Sequence, residues 1–192
     1  CYQNACLAAQ DFDNVYVVDS GNLSSGQGLL VVAAAKLAEQ GLSGAEIAER
    51  MRALVPKVEA SFLIERLDYM RKGGRCSAVA ALGANLLNLK PCIEVREGKM
   101  GVCKKYRGSF EKCIRQYVKD RLDGRADIAP DLAFITHPAC QKNVVDAAME
   151  EAARYGSFDE VVETHAGCTV SCHCGEGCLG VLYIHKNPKK LK

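Results

Sequence analysis

Apolar residues along this chain recur in two rhythms, short β-branched runs and longer stretches at helical spacing, and their alternation predicts an α/β fold. Residues 14–19, Asn-Val-Tyr-Val-Val-Asp, read as a buried strand. A loop rich in Ser, Gly and Asn follows over 20–26, and residues 28–40 space Leu, Val and Ala as a helix that Gly41 ends. Ser43 with Glu46 three residues on is a capping-box signature, so a second helix is predicted over 44–54. The character changes after Pro56. Residues 59–65 predict a strand, 67–72 a short helix stopped by Gly73 and Gly74, and 77–87 a further helix. Residues 90–107 predict a hairpin turning at Glu97-Gly98, and Ser109 opens an amphipathic helix to about Leu122. Strands over 131–136 and 160–164 flank a helix over 141–155, and 180–185 is the last strand. The expected organisation is a remainder of one α/β lobe over 1–55 and a mixed-strand α/β lobe over 56–192.

Composition narrows the classes. The 192 residues are 48% hydrophobic and 25% charged, enough for a sizeable core. Basic and acidic residues nearly balance at 25 and 23, which argues against an electrostatic nucleic-acid binder. Apolar runs stop well short of the roughly 18 residues of a membrane span, and the first residues lack a basic segment followed by an apolar one. A cytoplasmic protein without stable membrane insertion is expected. The chain opens on Cys1 and enters helix-like sequence at once, which reads as a lost natural N-terminus; a catalytic N-terminal cysteine is the alternative. Its 11 cysteines, in a chain this long and aliphatic, read as reduced thiols, most of them small buried hydrophobes.

Three glycine-marked stretches hold candidate chemistry. In Arg71-Lys-Gly-Gly-Arg75 the paired glycines allow a sharp turn that either stops a helix or presents Arg75 to an anion. In Cys172-His-Cys-Gly-Glu-Gly-Cys178, Gly175 and Gly177 permit close approach of a ligand beside His173, which is otherwise a satisfied histidine. Cys168, Cys172, Cys174 and Cys178 give C-x3-C-x-C-x3-C, with His165 and His173 alongside. Thiolates suit zinc or an iron–sulfur cluster, but this spacing matches neither zinc knuckles nor ferredoxin runs, and inert thiols are the plainer reading. The loop over 21–28 precedes a helix yet lacks both G-x-G-x-x-G and a Walker lysine, so it reads as a helix cap. Lys104-Lys105-Tyr106-Arg107 is a solvated hairpin arm unless it lines a site.

Taken together, five segments resemble the DegV family, the lipid-carrying subunits of bacterial fatty acid kinase. They are residues 17–28 (VVDSGNLSSGQG), 67–77 (LDYMRKGGRCS), 82–91 (LGANLLNLKP), 105–107 (KYR) and 173–180 (HCGEGCLG). The resemblance implies two α/β lobes, part of a parallel-sheet lobe and a complete mixed-sheet lobe. It implies a long-chain fatty acid in an apolar tunnel and no cofactor. A separate ATP-dependent kinase subunit then forms the acyl phosphate used in phospholipid synthesis, so the carrier is not itself an enzyme. Carried over by position, Arg75, Ser77, His173 and Gly175 hold the acyl head group, and Arg107 faces the kinase. Leu82, Leu86 and Leu87 are candidates for the tunnel wall. An enzyme using His173 with a cysteine, and a metal or redox module on the tail cysteines, are the competing readings.

The chain departs from the family pattern in two places. The family's first lobe carries a threonine/serine strand motif and a serine-glycine-threonine turn, both implied to help hold the carboxylate. Cys1-Tyr-Gln-Asn-Ala resembles the helix just after that turn. In the tail, Glu176 stands where the family commonly has proline.

Overall fold

The structure is a computed structural model and describes residues 1–75 and 89–188. Six strands form one mixed sheet: β1 (Val58–Ile64), β2 (Leu89–Arg96), β3 (Lys99–Arg107), β4 (Leu132–His137), β5 (Glu160–His165) and β6 (Cys178–Ile184). Their order is β3-β2-β1-β6-β4-β5, with every pair antiparallel except β4 and β5. The described helices are α1 (Tyr2–Ala9), α2 (Ser24–Glu39), α3 (Gly44–Leu54), α4 (Asp68–Lys72), α5 (Phe110–Leu122), α6 (Lys142–Tyr155) and α7 (Cys168–Cys174).

Local sequence explains most of these elements. The Ser43 backbone N–H donates to Glu46 Oε2 at 2.9 Å while Ser43 Oγ accepts from the Glu46 N–H at 3.4 Å, a complete capping box that opens α3. Glu97 and Gly98 both take left-handed φ, +49° and +72°, the geometry that a two-residue turn needs to match the twist of β2 and β3. Along β1, Ser61 and Leu63 point to one face and Ala60, Phe62 and Ile64 to the other; β6 alternates likewise.

That alternation separates two coverings. On one face α5 and α6 bury Leu63, Ile114, Val118, Ile135, Ala148, Val181 and Tyr183. Each Leu, Ile or Val among them contributes about 1.5–3 kcal/mol by leaving water. Tyr117 joins this helix layer to the sheet: its hydroxyl donates to the Ser61 carbonyl at 2.7 Å and accepts from the Val181 N–H at 3.0 Å. On the other face α2 and α3 cover Ala60, Val95, Phe134 and Leu182, while α4 and α7 cover Ile64, Ile93 and Cys178. A seam runs between these two packages.

Four expectations need correction or lie out of view. Residues 14–19 join no strand; Val15 and Tyr16 are exposed while Val18 packs against the core, because a β-branched run becomes a strand only beside a hydrogen-bonding neighbour. Helix α2 starts at Ser24, four residues before the predicted start at 28. In the tail, where no helix is predicted, residues Cys168–Cys174 form α7, too short for its period to show. The helix predicted over 77–87 lies outside the described residues.

Candidate functional site

The tail and the double-glycine turn meet at the seam. Helix α7 ends at Gly175, whose φ of +69° continues into Gly177 at +71°. A Cβ on Gly175 would overlap the Tyr69 ring of α4, so α4 and the tail pack closer than any other residue permits. His173, in the last turn of α7, lies against Gly73, where a Cβ would overlap Nδ1. Two motifs far apart in sequence thus share one contact. The Nδ1 of His173 is buried and makes no hydrogen bond to the described residues. Such an atom is costly to leave unsatisfied and is a ready partner for a ligand oxygen. Arg75 is exposed at the rim, its Nη1 donating to the Gly73 carbonyl at 2.7 Å.

Arg75 and His173 border a cavity of about 290 Å³. Ala60, Phe62, Gly180 and Leu182 of β1 and β6 contribute its sheet wall. Met70, Val95, Met100, Thr169 and Val170 close it from α4, the hairpin and α7. Gly180 leaves one wall position without a side chain; a Cβ there would come within 2.8 Å of the Ser61 carbonyl. Ser24, at the start of α2, and Thr136, at the end of β4, add hydroxyls to this apolar lining. Thr136 Oγ1 lies 2.7 Å from Thr164 Oγ1, which is 3.2 Å from Ser25 Oγ, so a chain of hydroxyls ties α2 to β4 and β5. Ser24 holds φ at +50°, a left-handed conformation uncommon for a non-glycine residue.

The tail cysteines do not converge. Cys168 and Cys172, one helical turn apart, are exposed, whereas Cys174 and Cys178 are buried in the cavity wall. The Cys178 thiol donates to Cys174, which pushes Cys178 up, reinforced by burial, and draws Cys174 down against burial. The four-cysteine metal reading therefore lacks its geometry. His137, Glu163 and His165 do bring ligand atoms within 4.8 Å of one another at the ends of β4 and β5. There, however, His137 Nδ1 accepts from the Cys140 N–H at 3.3 Å, which leaves Nε2 to donate to Glu163 at 3.0 Å. A metal-bound imidazole donates its far N–H, so this trio is built as a hydrogen-bonded tie between parallel strands.

Of the residues singled out from sequence, Arg75, His173 and Gly175 come together here. Arg107 stands exposed at the end of β3 opposite Leu89, outside the cavity wall, while the neighbouring Lys104 and Tyr106 both bind Asp120 Oδ2, at 2.6 and 2.7 Å. Ser77, Leu82, Leu86 and Leu87 lie outside the described residues. Sequence reasoning passed over Ser24, Thr136 and Thr169. Only Ser24 carried a signal, its place in the Ser- and Gly-rich loop that opens α2.

Known proteins share this fold. A family model described as "Uncharacterised protein, DegV family" matches residues 1–186. A DegV domain-containing protein of Clostridium acetobutylicum is 32% identical over 192 residues, covering 96% of this chain and 65% of the relative. The chain thus spans about two thirds of the length of that relative. Among solved structures, a DegV family protein from Thermus thermophilus described for its fatty acid binding superposes with a TM-score of 0.81 at 28% identity, over 96% of this chain and 66% of that one. A DegV family protein from Corynebacterium glutamicum gives 0.82 at 25% identity, over 98% and 71%. A fatty acid binding DegV family protein from Streptococcus agalactiae gives 0.74 at 27% identity, over 97% and 66%. With nearly its whole length matched, fold and sequence together, the chain belongs to the DegV family.

Proposed function

We propose that this protein binds a long-chain fatty acid, its acyl chain in the seam cavity and its carboxylate at the His173 end, and presents that carboxylate to a separate ATP-dependent kinase subunit. The observation that carries this reading is the apolar cavity bordered by a buried imidazole nitrogen that makes no hydrogen bond to the described residues. An acyl chain gains about 0.8 kcal/mol per methylene moved out of water, so the apolar wall sets affinity. A carboxylate at the same depth requires charge-assisted hydrogen bonds, which His173 and a turned Arg75 supply. Gly175 lets Tyr69 of α4 pack against the tail that carries His173, and Ser77 completes the head-group set by its place in the sequence. The fatty acid binding of the Thermus thermophilus and Streptococcus agalactiae relatives supports the same ligand class.

In this reading the chain is a carrier without a resident cofactor, and the kinase performs the phosphoryl transfer. Arg107, exposed with Lys105 on the edge strand β3, is the residue assigned to the kinase surface. Residues 1–55 belong to a first lobe that meets the larger one at the cavity. Among the described residues no helix is long and apolar enough to cross a membrane. A cytoplasmic carrier feeding acyl phosphate to phospholipid synthesis is consistent with that.

The test is native mass spectrometry of the protein purified from bacteria, followed by lipid extraction. A long-chain fatty acid near one per chain, lost in His173→Ala and reduced in Arg75→Ala, is expected. A chain that takes up no fatty acid even when it is added, or variants that keep it unchanged, would overturn the reading.

A further inference from the structure

We propose that Cys103 and Cys92, bridged by Arg121, form a redox-active dithiol whose substrate is a low-molecular-weight disulfide, with Cys103 as the attacking sulfur and Cys92 as the resolving one. The pair lies on the sheet face covered by α5 and is independent of the fatty-acid reading. In the β2–β3 ladder Cys92 pairs with Lys104 and Ile93 with Val102, which leaves Cys103 as the extra residue of a bulge. Its thiol reaches to 3.4 Å from the Cys92 carbonyl. One nitrogen, Arg121 Nη2, donates to both sulfurs, at 2.9 Å to Cys103 and 3.4 Å to Cys92.

Burial divides the roles. Cys103 is exposed and Cys92 fully buried, so an incoming reagent meets Cys103 first. Beside Cys103 a shallow groove bounded by Arg96, Lys99 and Gly101 gives such a reagent room. Electrostatics divides them the same way. The Cys92 thiol donating to Cys103, then the Arg121 charge, bring Cys103 down to about 7, against its partial burial and the Glu94 carboxylate. Cys92 is pushed far above the ordinary thiol range by the same hydrogen bond and by burial. Arg121 is fixed from its other side by Glu59 at 3.3 Å and Glu94 at 3.5 Å, so the cation stays in place when the sulfur protonates.

The reaction balances without another component. The Cys103 thiolate attacks one sulfur of RS–SR, forming a mixed disulfide and releasing RS⁻. With Cys103 held in the mixed disulfide, Arg121 Nη2 remains on Cys92, which loses its proton to solvent and attacks the Cys103 sulfur, expelling the second RS⁻. Two protein thiols become one disulfide, and the reagent disulfide is reduced to two thiols.

The probe is dithiobis(nitrobenzoate), with the single cysteine of an unstructured peptide as comparator. At pH 7 a sulfur that is half ionised carries about sixteenfold more thiolate than free cysteine, and its weaker nucleophilicity takes back about fivefold, leaving about a threefold faster reaction. At pH 6 the advantage grows to about sixfold. Peptide mapping should then find a Cys92–Cys103 disulfide with no adduct left on either residue, and Cys92→Ser should trap the nitrobenzoate adduct on Cys103. A Cys103 that reacts no faster than the peptide cysteine at pH 6, or an adduct that persists on Cys103 with Cys92 intact, would overturn the proposal.

Discussion

Gly73 and Gly74 look equivalent in sequence and are opposite in the fold. Gly74 has φ of +72° and open space around it, so an added methyl meets only backbone strain. At Gly73 the φ is ordinary, −76°, but a methyl would overlap His173 Nδ1. Gly73→Ala must push the imidazole away from the cavity rim or shift the turn that carries Arg75. The expected outcome is loss of bound fatty acid in Gly73→Ala, comparable to His173→Ala, with retention in Gly74→Ala. Lipid extraction from the two variants, each checked for an unchanged far-ultraviolet spectrum, distinguishes them. Equal retention in both would mean that the His173 contact is not needed for binding.

Tyr117 is where helix α5 enters the hydrogen-bonding of the sheet. Its hydroxyl bridges the Ser61 carbonyl and the Val181 N–H, so Tyr117→Phe removes a buried hydrogen-bonding group from between two paired strands. A loss of about 1–3 kcal/mol is expected. It is read as a lower urea midpoint at unchanged slope; a variant within about 0.5 kcal/mol of the parent would show that the ladder closes without the phenol. The contrast between readable and hidden features is clear among these elements. The α3 capping box, the Glu97-Gly98 turn and α5 carry their instructions locally, and sequence placed them within a few residues. Residues 14–19 have the composition of a strand, but pairing is a property of two segments and cannot be read from one. The site divides similarly. Its glycines, Arg75 and His173 were legible because unusual backbone demands leave a mark in the residue type. The walls were not, since Ala60, Phe62 and Leu182 look like any core residue until the seam between two helix packages leaves a gap over them. Arg121 was equally silent, being one basic residue on an amphipathic helix whose reach across two strands appears only in three dimensions.

Sheet topology places the cavity at the junction of parts distant in the chain. Strand β6, late in the sequence, is the centre of the sheet: it pairs with β1 on one side and β4 on the other. It also supplies Cys178, Gly180 and Leu182 to the cavity wall. The β3-β2-β1 half and the β4-β5 half have no edge in common without it. During synthesis, at about 5–20 residues per second, both halves would leave the ribosome with one open edge and wait several seconds for the strand that joins them. A chain stopped before Cys178 should therefore show no cooperative unfolding transition and should aggregate on release, whereas one stopped after Asn187 should fold. For the living cell this makes the nascent protein a candidate client of holding chaperones, and it makes the emergence of β6 the event that completes the cavity wall.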